Sequence, residues 1–267
     1  MAMPTYAQIA RGVTFQLFLD GAMNALHAAA LLVVLALVAC GSQRHEAREG
    51  NSELLDRAIA AAGGEVSLDK AQRLRWSGDA DVHAGGRDIA LSVRSDIVPF
   101  GKVRSETWLR DKGPSTLRVM ELDGTRGWLT RDGKREVMPE AMARNEYAQF
   151  GTYGLMRLVT LRKPGIETVE AGKDAQGLVG LRTRYPGLPD AVLWFDARAH
   201  LVALSNVVES PDGNGTTQQR FDFSGAIESN GVRWPRSIRI TQDGKPFFEL
   251  TLNAFEALPA NQEPPSR

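Results

Sequence analysis

The chain has 267 residues with 32 basic against 32 acidic side chains, so it carries no net charge and no global field that would gather nucleic acid or acidic partners. Its single cysteine excludes an intramolecular disulfide. No His-Glu-x-x-His, no paired Cys or His at metal spacing and no Gly-x-Ser-x-Gly occurs, which removes the commoner metal and acyl-transfer classes and calls for no cofactor.

The first element in chain order is an apolar run from Ala28 to Ala39, directly before Cys40. It is too short to cross a bilayer core of roughly 30 Å and has the length of a signal-peptide core. Leu37-Val38-Ala39-Cys40 resembles the lipobox of bacterial lipoprotein signal peptides. That resemblance implies cleavage before Cys40, lipidation of its thiol and an N-terminal membrane anchor. Several acyl chains, at about 0.8 kcal/mol per buried methylene, hold far more firmly than one. In that family an Asp after the cysteine signals inner-membrane retention. Here Gly41 and Ser42 follow, which implies the periplasmic face of the outer membrane. Two alternatives stand beside this reading. Met23 is a second candidate start, and an uncleaved signal anchor would run from about Val13 to Ala39, broken by Asp20. Residues 1–39 are thus expected to be a signal peptide and 40–50 a lipidated cysteine with a flexible polar tether, followed by one domain over 51–257 and a disordered Pro-rich tail over 258–267.

Asn51 or Ser52 can cap a helix with Leu54, Leu55, Ala58, Ile59 and Ala62 on one face, ended by Gly63 and Gly64. After a short turn, Leu74 to Val82 alternates as a half-buried strand, with Trp76 and Ala80 on its apolar face. Ile89, Leu91, Val93 and Ile97 repeat the pattern. Val103 to Arg110, Ser115 to Leu122, Thr125 to Arg131 and Lys134 to Met138 follow, with Asp-Gly hairpin turns at 123 and 132. Pro139 to Leu161 changes period and predicts two short helices divided at Gly151 and Gly154. Strands resume at Ile166–Ala171, Leu178–Tyr185, Ala191–Asp196, Leu201–Glu209, Gln218–Ser224, Val232–Thr241 and Phe247–Phe255. Roughly a dozen strands in consecutive hairpins predict a large antiparallel sheet that curls to hide one face.

This order resembles the LolA/LolB-like superfamily of bacterial lipoprotein-sorting proteins. The resemblance covers most of Asn51 to Ala257. Three segments carry it: the helix ending before Gly64, the Asp123-Gly-Thr-Arg-Gly-Trp128 hairpin before the helical insert, and Asn230-Gly-Val-Arg-Trp-Pro-Arg-Ser-Ile-Arg-Ile240. It implies an α+β, mainly β fold: an unclosed half-barrel lidded by short helices, binding acyl chains of lipids or lipoproteins without catalysis. On that implication Trp76, Ala80, Ile89, Leu91, Val93, Val103, Leu109, Leu193, Phe195, Ile238 and Ile240 line the concave face. Tyr147, Phe150, Tyr153, Leu155 and Leu158 supply the lid. Ordinary core is the competing role for each of these residues. The competing function is an envelope-stress sensor or interaction module that binds a periplasmic protein partner, which a long free edge strand would favour.

An enzyme reading would have to assemble Asp190, Asp196, His200 and Ser205, yet Asp196 and His200 flank one hairpin turn. Trp108, Trp128 and Trp194 fit sheet core or a membrane interface. Arg104, Arg110, Arg118, Arg126, Arg131, Arg182 and Arg184 fit a solvated face or lipid headgroups. The leader reading has a direct test: the wild-type chain should incorporate a clickable palmitate analogue in a bacterial host, and Cys40→Ser should not. A wild type without label would favour the uncleaved anchor.

Overall fold

The computed structural model describes residues 53–211 and 213–260. The expected signal peptide, Cys40, the tether and the tail from 261 onward lie outside the described residues. Helix α1 (53–61) presents Leu54, Leu55, Ala58 and Ile59 to the core. It ends at Gly63, whose φ of 118° only glycine adopts readily, and whose Cβ would lie 1.8 Å from the carbonyl oxygen of Gly231. A second helix, α2 (Glu65–Lys70), stands where the sequence predicted a turn. At six residues it is too short to show a helical period, and only Leu68 in it is buried. A distant side chain fastens it. The buried Arg157 guanidinium donates to the carbonyls of Leu68 (3.0 Å) and Asp69 (3.3 Å).

The strands are β1 (Arg73–Ala84), β2 (Arg87–Ile97), β3 (Lys102–Leu109), β4 (Arg118–Asp123), β5 (Arg126–Arg131) and β6 (Lys134–Val137) before the helical insert. After it come β7 (Glu167–Lys173), β8 (Val179–Arg184), β9 (Ala191–Phe195), β10 (Leu201–Glu209), β11 (Thr216–Ser224), β12 (Ile227–Ser229), β13 (Val232–Trp234), β14 (Ser237–Gln242) and β15 (Lys245–Leu258). Thirteen of them form one antiparallel sheet in the order β6-β5-β4-β3-β2-β1-β15-β14-β11-β10-β9-β8-β7. The first strand pairs with the last, from Arg73 opposite Leu258 to Val82 opposite Phe248. The chain therefore builds the sheet outward in both directions from its middle. The two edges, β6 and β7, are consecutive in sequence, so the insert between them must run from one edge to the other. The sheet stays unclosed and the insert lies across its mouth.

Two sequence expectations are corrected in the strands. Residues 113–116 form a 3-10 turn, so β4 starts only at Arg118. The expected strand Val232–Thr241 is two strands: β13 pairs with β12 in a separate hairpin, and β14 joins the main sheet. Pro235 lies at the break, where a residue without an N–H cannot continue the ladder.

The insert is corrected too. It is one helix, α3 (Glu140–Leu155), running through both glycines, then a 3-10 turn over Val159–Arg162. Gly151 and Gly154 mark close packing rather than breaks. A Cβ on Gly151 would sit 2.6 Å from Leu188, and one on Gly154 would sit 2.3 Å from the Phe100 ring. Phe100 cannot swing aside freely, because it stacks on Tyr185 at 4.0 Å. Helix propensity alone would make Gly154→Ala stabilising by about 1 kcal/mol. The packing makes the opposite expectation: a loss of about 1–3 kcal/mol in urea unfolding.

Candidate functional site: the inner face of the sheet and its helical cover

Residues directly opposite each other in an antiparallel ladder point to the same face, so register decides what the concave side presents. One row crosses eight strands: Leu181, Leu193, Leu204, Phe221, Ile240, Phe248, Val82 and Ile89, each opposite the next. A second runs Ile238, Leu250, Ala80, Leu91, Leu109. The eleven residues expected on the concave face do share it. Trp76, Ala80, Val93, Val103, Leu193, Phe195, Ile238 and Ile240 are buried, while Ile89, Leu91 and Leu109 are half-buried at the hairpin ends. Among the lid residues, Tyr153, Leu155 and Leu158 are buried, and Tyr147 and Phe150 are half-buried. Tyr153 meets the indole of Trp76 edge-on at 4.9 Å, and Phe150 packs edge-on against Tyr153 at 5.8 Å. Tyr147 instead donates to the Phe100 carbonyl at 3.4 Å. In this structure the helix is thus closed onto the sheet.

The inner face also holds polar groups that the sequence reading passed over. Ala143, Glu146, Phe150 and Tyr153 recur at helical spacing and form the inward stripe of α3. A carboxylate therefore lies on the face that packs against apolar side chains. No hydrogen bond or ion pair to Glu146 exists among the described residues. Loss of water around it pushes its pKa up to about 7. Burial raises the Tyr153 phenol as well, and the nearby Glu146 charge adds to it. The signal in the sequence was the spacing: Glu146 sits four residues before Phe150 and seven before Tyr153.

The opposite face is charged and held by ion pairs. Arg104 reaches Glu106 (3.0 Å) and Glu121 (2.9 Å), Arg135 reaches Glu121 (3.1 Å), and Arg75 reaches Glu256 (2.9 Å). Arg110 pairs with Asp79 and Asp81, and Arg184 with Glu167 and Asp190. Arg75, Arg104, Glu106, Glu121, Arg135 and Glu256, with the half-buried Trp128, border a groove of about 870 Å³. Trp108, Trp128 and Trp194 lie on this face rather than in the core, unlike the buried Trp76. Arg94 covers Trp108 at 5.8 Å and Arg135 covers Trp128 at 4.5 Å, while Trp194 donates to Ser205 at 3.0 Å. Ser205 accepts from Trp194, Asp196 pairs with His200 (3.2 Å) and Asp190 is engaged by Arg184. The four residues of the enzyme reading are not brought together. Asp196 instead organises its own turn, accepting from the backbone N–H of Arg198 and His200.

The Glu146 environment makes stability depend on pH. A carboxyl whose pKa is higher in the folded state than its ordinary value of about 4.5 binds its proton more tightly when folded. Its contribution is complete below pH 4.5 and is lost as pH rises to about 7. Urea unfolding is expected to show a stability decline on the order of 2–3 kcal/mol across that window. Glu146→Gln should flatten the profile and be the more stable protein at pH 8.

No protein-family model matches the sequence, and none of the curated proteins does. Solved structures do. A DUF1329 family protein from Desulfovibrio piger aligns at a TM-score of 0.52 with 11% identity, over 80% of this chain and 95% of that one. A domain named for outer membrane lipoprotein sorting, from Vibrio parahaemolyticus, aligns at 0.49 with 11% identity, over 80% and 94%. A LolA superfamily protein from Nitrosomonas europaea aligns at 0.46 with 9% identity, over 74% and 94%. At such identities the likeness concerns fold alone. The fold is LolA/LolB-like: a large antiparallel sheet, not closed into a barrel, with short helices over its concave side.

Proposed function

We propose that this protein is a non-enzymatic binding protein of the bacterial cell envelope. It would be anchored through a lipidated Cys40 at the periplasmic face of the outer membrane and would hold acyl chains of a lipid or lipoprotein between its sheet and α3. The observation that supports this most is the inner face itself. One apolar row runs unbroken across eight strands and a second across five, and the cover is one helix joined to the sheet at both edges. Apolar surface moved out of water stabilises by about 25 cal/mol per Å², so an acyl chain held between the sheet and α3 gains affinity with the net area it buries, less the cost of lifting the helix. Opening and closing of α3 would then control loading and release. A LolA-like fold in a lipoprotein-sorting neighbour fits the same reading.

The interaction-module reading needs a long, flat, free edge. Here β6 has four residues, three of them charged, and β7 carries a register shift between Glu170 and Gly172. Short, charged and irregular edges resist strand addition, which favours the acyl-binding reading.

Native mass spectrometry with organic extraction tests it, on the form starting at Gly41 purified from a bacterial periplasm. The wild type should carry a stoichiometric lipid. Leu91→Glu, on the half-buried part of the inner face, should lose it while keeping the wild-type circular dichroism. Arg94→Glu on the outer face should retain it. A clean apo mass for the wild type, or equal lipid in all three proteins, would sink the assignment.

A further inference from the structure

A polar row crosses the inner face two residues along from the Leu181–Leu193–Leu204–Phe221 row, hence on the same side of the sheet. Thr168 lies opposite Thr183, Thr183 opposite Ala191, Ala191 opposite Asn206, and Asn206 opposite Gln219. Thr183, Asn206 and Gln219 are 1%, 7% and 2% exposed. Five side-chain atoms of the row, Thr168 Oγ1, Thr183 Oγ1, Asn206 Oδ1, Gln219 Nε2 and Gln219 Oε1, are shut off from solvent with no hydrogen-bond partner. Each such atom costs about 1–3 kcal/mol, and native proteins hold few. Here they fall in one line across adjacent strands, in the half of the sheet where α3 packs on β10 and Asn145 donates to the Glu209 carbonyl at 2.6 Å. With each atom closed to water-sized probes, solvent does not meet the need while the helix is down.

We propose that this row is a second, polar subsite that recognises the linkage at the head of a bound acyl chain, and that the linkage is a secondary amide. The inference rests on the acyl-binding reading. The unmet groups set the chemistry. Asn206 Oδ1 and Gln219 Oε1 are acceptors that only an incoming N–H or O–H satisfies, while Gln219 Nε2 requires an acceptor. An ester offers acceptors alone, and a free carboxylate finds no cation in a row of neutral residues. An amide supplies a donor and an acceptor side by side. Movement of α3 would open the row as it opens the apolar face, so chain and head would be bound in one step.

The test uses the full-length protein held in amphipol, offered equimolar N-methyl-lauramide and methyl laurate, with bound mass read by native mass spectrometry. The amide should be favoured about tenfold, the yield of one to two net hydrogen bonds. Gln219→Met should erase the preference while leaving ester binding intact. It should also raise the apo melting temperature, since it removes two unpartnered atoms at nearly constant volume. Thr183→Val serves the same comparison if Gln219→Met fails to fold. Equal retention of amide and ester by the wild type would overturn the polar subsite and leave the acyl cavity standing. An amide preference that survives Gln219→Met would overturn it as well. Retention of neither probe would overturn this inference together with the acyl-binding reading.

Discussion

The antiparallel pairing of β1 with β15 is the constraint from which the rest of the architecture follows. Once the first and last strands are neighbours, the hairpins that follow β1 up to β6 extend the sheet in one direction, and those that precede β15, apart from the separate β12–β13 pair, extend it in the other. The free edges then fall in the middle of the sequence, at β6 and β7, and the only covalent link between them is the segment that forms α3. A connection between two edges of a curled sheet has to cross its open side. The cover is thus a consequence of strand order, and the same order commits the apolar rows of the central strands to the side the cover overlies.

The closed arrangement sets strong packing against unmet polarity. On one side are the Tyr153–Trp76 contact, the Phe100 ring seated where Gly154 lacks a Cβ, and Arg157 tying the end of the insert to α2. On the other side are the unpartnered Glu146 carboxylate and the line of dry polar atoms from Thr168 to Gln219. Buried groups without partners oppose the state that buries them. Apolar contact holds the cover down, and the trapped polar groups narrow the margin by which the closed arrangement is favoured.

The division of chemistry between the two faces supports the same picture. Arginine–carboxylate pairs on the outer face are solvent-accessible, so each adds little stability. The arginines also cover Trp108 and Trp128, which keeps two large indoles from forming an exposed apolar surface. The outer face is thereby polar and ion-paired, and the continuous apolar rows are confined to the inner one.

The sequence by itself determined the strand faces, because side chains alternate with period two and a turn-rich chain leaves little choice of hairpin partners. Trp76, Ala80, Leu91 and Val93 were legible on that ground alone, whereas Leu193 and Ile240 were placed by the family resemblance. The apolar run before Cys40 is likewise a linear pattern, and the leader expected from it lies outside the described residues. What the sequence did not reveal depends on contacts between residues far apart along the chain. The helix α2 exists because Arg157, some ninety residues on, satisfies its carbonyls. Gly151 and Gly154 read as helix breaks until Leu188 and Phe100 occupy the space their missing side chains leave. The row Thr168–Thr183–Asn206–Gln219 has no spacing at all in one dimension. It appears only when register aligns β7, β8, β10 and β11, since alternation tells which side a residue faces and pairing alone tells which residues stand beside it.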